Sequence, residues 1–196
     1  VTLDVKGLIV GPLATNCYVA SGGGKAVIID PGAEAEVVLR ALGGQEVAAI
    51  LVTHGHADHV GAVDELVADT GAPFLAPAPD LGLVKKYVAA RPSGVFRHAD
   101  QFEFDAFSLA VIATPGHTPG SSCFYSAGLI FSGDTLFAGG VGRIDLPGGS
   151  AEALFSSIRE RIFPLPGDTV VYPGHGERTT VGRERNSNPF FASGWV

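Results

Sequence analysis

Short apolar runs closed by glycine or proline recur along the chain, and most are rich in β-branched residues. They predict strands at Leu8-Ile9-Val10, Cys17-Tyr18-Val19-Ala20, Ala26-Val27-Ile28-Ile29 and Ala49-Ile50-Leu51-Val52. Further strands are expected at Pro73 to Ala76, Phe107 to Ala113, Ser122 to Tyr125, Leu129 to Phe131 and Thr169 to Tyr172. Helical spacing occurs in three places. Val37, Val38, Ala41 and Leu42 share a face after Gly32; Val60, Val63 and Val67, beside Leu66, mark a second helix. Leu154, Ile158 and Ile162 recur at i, i+4 and i+8, with Ser150 placed to cap the start. A fourth helix is expected over Asp80 to Ala90.

Strands dominate both halves and helices occur in each, a pattern that suits two packed sheets with helices outside. No polar linker divides the chain, so residues 1–196 read as one domain. Apolar residues make up 46% of the 196, enough for a sizeable core, which excludes a disordered chain. The net charge of −7 argues against a nucleic-acid or anionic-membrane partner. No apolar run has the roughly 18 residues of a spanning helix, and the start Val1-Thr2-Leu3-Asp4 is no secretory signal, so a cytoplasmic protein is expected. Cys17 and Cys123 lack a CxxC partner and read as two buried reduced thiols.

Candidate chemistry gathers where strands end. Thr53-His54-Gly55-His56-Ala57-Asp58-His59 follows the run at Ala49 to Val52 and opens a helix. His54 and His56, two apart in an extended turn, can point the same way, while Asp58 and His59 face a second point after the bend. These four side chains look like the edges of two adjacent metal positions. His117 in Thr114-Pro115-Gly116-His117, Asp134 in Phe131-Ser132-Gly133-Asp134 and His175 in Tyr172-Pro173-Gly174-His175 supply more ligand types, each beside a Gly-rich turn. His98 has no such motif around it and reads as an ordinary surface residue.

The series His54-x-His56-x-Asp58-His59, His117, Asp134, His175 resembles the metallo-β-lactamase superfamily, and Asp30 in Ile28-Ile29-Asp30-Pro31-Gly32 matches an acid that the family carries at the end of an early strand. The resemblance implies a four-layer αβ/βα sandwich of two mixed β-sheets flanked by helices, with a metal site along one sheet edge. It also implies a division of ligands: His54, His56 and His117 for one cation, Asp58, His59 and His175 for another, and Asp134 bridging both. Asp30 would accept a hydrogen bond from a ligand histidine and fix its tautomer. The cofactors would be two divalent cations, zinc first, with iron or manganese compatible.

Two such cations share a water, lower its pKa toward about 7 and make a bridging hydroxide the nucleophile. Asp58 would orient that hydroxide or take its proton. No extra general acid stands in the motifs, which favours a thioester, because a thiolate leaves with little help. The bridging Asp134, the stretch Gly142-Arg143-Ile144-Asp145 and the ending Asn188-Pro189-Phe190 resemble short glyoxalase II-like (hydroxyacylglutathione hydrolase-like) bacterial proteins. The expected substrate is therefore S-2-hydroxyacylglutathione or a related acyl-thiol. Only a short segment follows His175, where complete glyoxalase II enzymes carry a helical domain supplying much of the glutathione site, so the thiol carrier is left open. Arg143 is a candidate for an anionic part of the substrate. Lys85, Lys86 and Arg91 read as a solvated face, and Phe190, Phe191 and Trp195 as packing or a subunit contact. The alternative is a persulfide dioxygenase of the same fold, using a single iron held by His54, His56, His117 and Asp134. A nuclease is disfavoured by the acidic charge.

Overall fold

A computed structural model describes residues 3–126 and 128–192; Trp195 lies outside the described residues. The strands are β1 (Asp4–Val10), β2 (Thr15–Gly22), β3 (Lys25–Ile29), β4 (Glu46–Leu51), β5 (Phe74–Pro77), β6 (Gly94–Phe96), β7 (Gln101–Phe104), β8 (Phe107–Ala113), β9 (Ser122–Ser126), β10 (Leu129–Gly133), β11 (Leu136–Phe137), β12 (Gly140–Val141), β13 (Val170–Pro173) and β14 (Thr179–Thr180). The helices are α1 (Ala35–Leu42), α2 (Ala57–Val60), α3 (Val63–Thr70), α4 (Leu81–Val84), α5 (Ala151–Ser157), α6 (Val181–Ser187) and α7 (Pro189–Ala192). One sheet has the order β1-β2-β3-β4-β5-β6 and the other β14-β13-β10-β9-β8-β7, with β11 and β12 as a separate small hairpin.

Period-2 alternation decides which core each strand residue enters. In β3, Ala26 and Ile28 face α1 and α3, while Val27 and Ile29 face the other sheet. In β4, Ile50 faces the helices and Leu51 the sheet interface. The second sheet repeats the rule: Phe124 and Phe131 enter the middle core, and Cys123 and Ile130 pack on Leu154, Ile158 and Ile162. Three cores separate four layers, so the expected sandwich of mixed sheets flanked by helices is the fold observed. Strands buried on both faces read as continuous apolar runs rather than alternating ones, which is why they stand out in the sequence.

The helices depart from expectation in detail. The second one is broken into α2 and α3 at Gly61 and Ala62. The helix expected over Asp80 to Ala90 is a 3₁₀ turn at Ala78–Asp80 and the single turn α4. Gly82 within the stretch lowers helical propensity, and only Val84 and Val88 bury a face. Ser150 caps α5 by accepting from the Ala153 N–H, and the apolar stripe continues through a π-helical turn at Ile158–Ile162. α6 showed no apolar period, since it buries only Val181 and Glu184. Among the described residues no helix is long and apolar enough to cross a membrane.

Both cysteines are fully buried and unpaired. Burial pushes both thiols up, Cys123 to about 11, so neither is a thiolate at neutral pH. We expect a thiol reagent such as Ellman's to label neither residue in the folded protein and both after denaturation. Rapid labelling before unfolding would show that these layers open.

Candidate metal centre

The site follows from strand direction. β3 and β4 run parallel in one sheet, and β8, β10 and β13 point one way in the other. The carboxyl ends of all five therefore meet along one edge. They carry, in turn, Asp30, the segment Thr53–His59, the loop of His117, Asp134 and His175. Backbone bonds lock the edges together: Ser122 N–H donates to the Thr53 carbonyl at 2.9 Å, and Asn16 N–H to that of Gly174 at 2.7 Å.

Seven of the expected side chains converge. His54, His56 and His117 form one group; Asp58, His59 and His175 form another; in each, the candidate ligand atoms lie within 4.8 Å of one another. Asp134 stands between them, with Oδ1 3.3 Å from His59 Nε2 and Oδ2 3.5 Å from His117 Nε2 and 3.6 Å from His175 Nε2. Asp58 Oδ2 lies 3.3 Å from His175 Nε2 and accepts from the Thr15 hydroxyl at 3.1 Å.

Tautomers are set from outside the cluster. Asp30 is buried, with a left-handed backbone (φ 53°), and its carboxylate accepts from Thr53 N, Thr53 Oγ1 and His59 Nδ1 at 2.7, 2.7 and 2.9 Å. The Thr53 hydroxyl spends its proton on Asp30, so it receives the Nδ1 proton of His54 across 3.1 Å. His117 Nδ1 donates to the Arg143 carbonyl at 2.7 Å. In its neutral form each of these three rings thus turns Nε2 inward as an acceptor.

The residues fit cations. His117 Nε2 lies 3.3 Å from His54 Nε2 and 2.9 Å from His56 Nδ1, near the roughly 3.4 Å edge of a tetrahedral site with bonds of about 2.0–2.1 Å. His54 and His117, each with Nδ1 donating elsewhere, turn Nε2 lone pairs toward one another across 3.3 Å, and these repel unless positive charge sits between them. Buried His59 Nε2 and Asp134 Oδ1 have no hydrogen-bond partner, as expected of atoms reserved for a cation. Electrostatics differ from ring to ring. Burial and neighbouring imidazoles hold His54 well below the ordinary histidine range. Burial opposes charge on His59 too, but Asp134 and Asp30 outweigh it and raise that ring well above the range. Burial also opposes charge on Asp58 and Asp134, yet their histidine neighbours hold both carboxyls low.

Arg143 projects outward. Its guanidinium is exposed and closes a two-pronged pair with Asp145 at 2.8 and 2.7 Å, so only its carbonyl touches the centre. Lys85, Lys86 and Arg91 are exposed, and so is His98. Phe191 packs on Phe155 and Phe163, while Phe190 helps line an apolar recess of about 710 Å³ with Val141, Ile144, Leu154 and Phe155. Sequence reading missed Asp80, a buried carboxylate that joins two of the ligand loops.

Comparison with known proteins agrees with this geometry. The metallo-beta-lactamase superfamily pattern matches residues 10–175, and the chain belongs to that superfamily. It is 37% identical to "Hydroxyacylglutathione hydrolase GloC" of Haemophilus influenzae, over 86% of this chain and 88% of that protein. It is similar to TTHA1623, solved in a di-iron-bound form, with 38% identity, TM-score 0.83, and 94% and 99% of the two chains covered. It also resembles ETHE1 from Myxococcus xanthus, with 30% identity, TM-score 0.84, and 96% and 84% covered.

Close packing leaves no latitude at Gly174, where a Cβ would stand 2.2 Å from Asp134 Oδ1 and 2.8 Å from His59 Cε1. Gly174→Ala is expected to displace Asp134 and strip metal from the purified protein while the far-ultraviolet circular dichroism stays native. Full metal content in that variant would contradict the geometry described.

Proposed function

We propose that the chain is a dinuclear metal-dependent thioester hydrolase of the glyoxalase II type. Its substrate would be S-2-hydroxyacylglutathione or a related acyl-thiol. The observation that carries the reading is the pair of ligand groups on either side of one carboxylate, Asp134. In this reading His54, His56 and His117 hold one cation, Asp58, His59 and His175 hold another, and Asp134 serves both. Bound there, divalent zinc, iron or manganese supplies an activated water at neutral pH and polarises the acyl carbonyl.

The chain's own residues do the rest. Asp58, steadied by the Thr15 hydroxyl, orients the attacking water and accepts its proton at Oδ2. Asp30 keeps the His59 ring from turning, directly, and the His54 ring through Thr53. A thiol of pKa about 8.5 departs as thiolate without a dedicated acid, which is why a thioester suits this residue set better than an amide. The likeness to GloC supports this substrate class, and the di-iron form of TTHA1623 supports two cations.

The likeness to ETHE1 keeps a second reading in view: one iron and oxidation of a persulfide. Against it stands the second group, Asp58, His59 and His175, whose candidate ligand atoms also lie within 4.8 Å of one another.

Elemental analysis should give close to two metals per chain. A panel of thioesters including S-lactoylglutathione should show thiol release that a chelator abolishes and added metal restores. Asp134→Ala should lower kcat/KM by at least about 100-fold, beyond the usual effect of losing an outer partner of a ligand. One iron per chain with oxygen uptake on a persulfide would favour the second reading. Hydrolysis confined to a chromogenic cephalosporin, or parent-level activity in Asp134→Ala, would overturn the first.

A further inference from the structure

Asp80 is 2% exposed and ends the 3₁₀ turn that follows β5. Its Oδ2 accepts from the Gly55 N–H at 3.0 Å and from the Thr118 hydroxyl at 2.7 Å, and its Oδ1 accepts from the Gly120 N–H at 2.8 Å. Gly55 lies between His54 and His56, and Thr118 directly follows His117. One carboxylate therefore ties together the two segments that carry the three imidazoles of the first group. The fit is tight on both sides. A Cβ on Gly120 would stand 2.5 Å from Asp80 Cγ, and one on Gly55 would stand 3.0 Å from Leu83 Cβ and 3.1 Å from Val84 N. Pro77 and Pro79 restrict the backbone leading to Asp80, so the anchor is itself stiff.

We propose that Asp80 is a positioning residue for the trihistidine position, fixing its geometry and affinity by clamping the His54–His56 turn to the loop of His117. This rests on the reading that His54, His56 and His117 hold one of two cations. The clamp is specific. Among the described residues Asp80 holds backbone at Gly55 and Gly120, beside His54, His56 and His117, whereas the side chains of Asp58 and His59 are held by Thr15 and Asp30. A carboxylate is required, because three donors converge on it. An asparagine would point an N–H₂ at one of them and leave a buried donor facing another.

The test uses the metal-loaded protein, challenged with increasing concentrations of a competing chelator, with retained metal per chain measured at each step. The parent should release its metals in two steps, and His117→Ala identifies the step that belongs to the trihistidine position by abolishing it. Asp80→Asn should weaken that step about 10–100-fold and leave the other within about twofold, as expected for the loss of an outer partner. Thr118→Val should weaken the same step less, and Thr118→Ser, which keeps the hydroxyl, should restore the parent value. In the double variant Asp80→Asn/His117→Ala, the remaining step should match that of His117→Ala alone. Should Asp80→Asn fail to fold by circular dichroism, Thr118→Val against Thr118→Ser decides the matter. Both steps unchanged in Asp80→Asn, or both weakened equally, would overturn the proposal. Metal retention unaffected by His117→Ala would instead overturn the reading of the centre itself.

Discussion

The two sheets are joined at Thr53, and the candidate metal centre depends on that joint. The Thr53 carbonyl accepts from Ser122 N–H at the start of β9, across the gap between the sheets. Its N–H and hydroxyl both donate to Asp30 at the end of β3. On its other side Gly133, with φ 47°, comes so close that a Cβ there would stand 2.3 Å from Thr53 Oγ1. The end of β10 can approach only because that residue is glycine. Asp134 follows immediately, so the close approach of Gly133 to Thr53 helps place that carboxylate between the two groups.

Such a site works against stability. Five imidazoles and two carboxylates crowd together, two of their buried atoms lack partners, and Asp30 holds a left-handed backbone that a non-glycine residue adopts only at a cost of about 1–3 kcal/mol. The scaffold offsets this in the three apolar cores, whose strands are buried on both faces. The division is spatial. Apolar residues occupy the lengths of the strands, and the ligands occupy the first residues beyond their carboxyl ends, where loops are held from two sheets at once.

The convergent histidines and aspartates were legible because spacing exposes them. His54, His56, Asp58 and His59 fall in six residues, and His117, Asp134 and His175 each follow an apolar run. The two-sided strands were legible for the same reason. What stayed hidden depends on partners distant in sequence. Asp80 is one aspartate beside a proline, and its partners lie 25 to 40 residues away. β11, β12 and β14 are two residues long, too short for any period, and α6 is mostly polar outside. Arg143 shows the opposite limit. A cation near the motif suggested substrate, and its pairing with Asp145, two residues on, emerges only from the structure.

Asp30 and Asp80 divide the support of the centre, and the division explains why both must be anionic. Among the described residues neither pairs with a lysine or arginine; each is surrounded by N–H and O–H donors. A carboxylate so placed forms charge-assisted bonds, about twice as strong as neutral ones, and holds several loops with one side chain. It also leaves negative charge just outside the ring of ligands, where it favours a cation within. Asp30 reaches His59 directly and His54 through Thr53; Asp80 reaches the turn after His54 and the loop of His117. His54 is common to both. That ring belongs to the trihistidine group, so both carboxylates steady that side, and only the Asp80 clamp grips it from two loops.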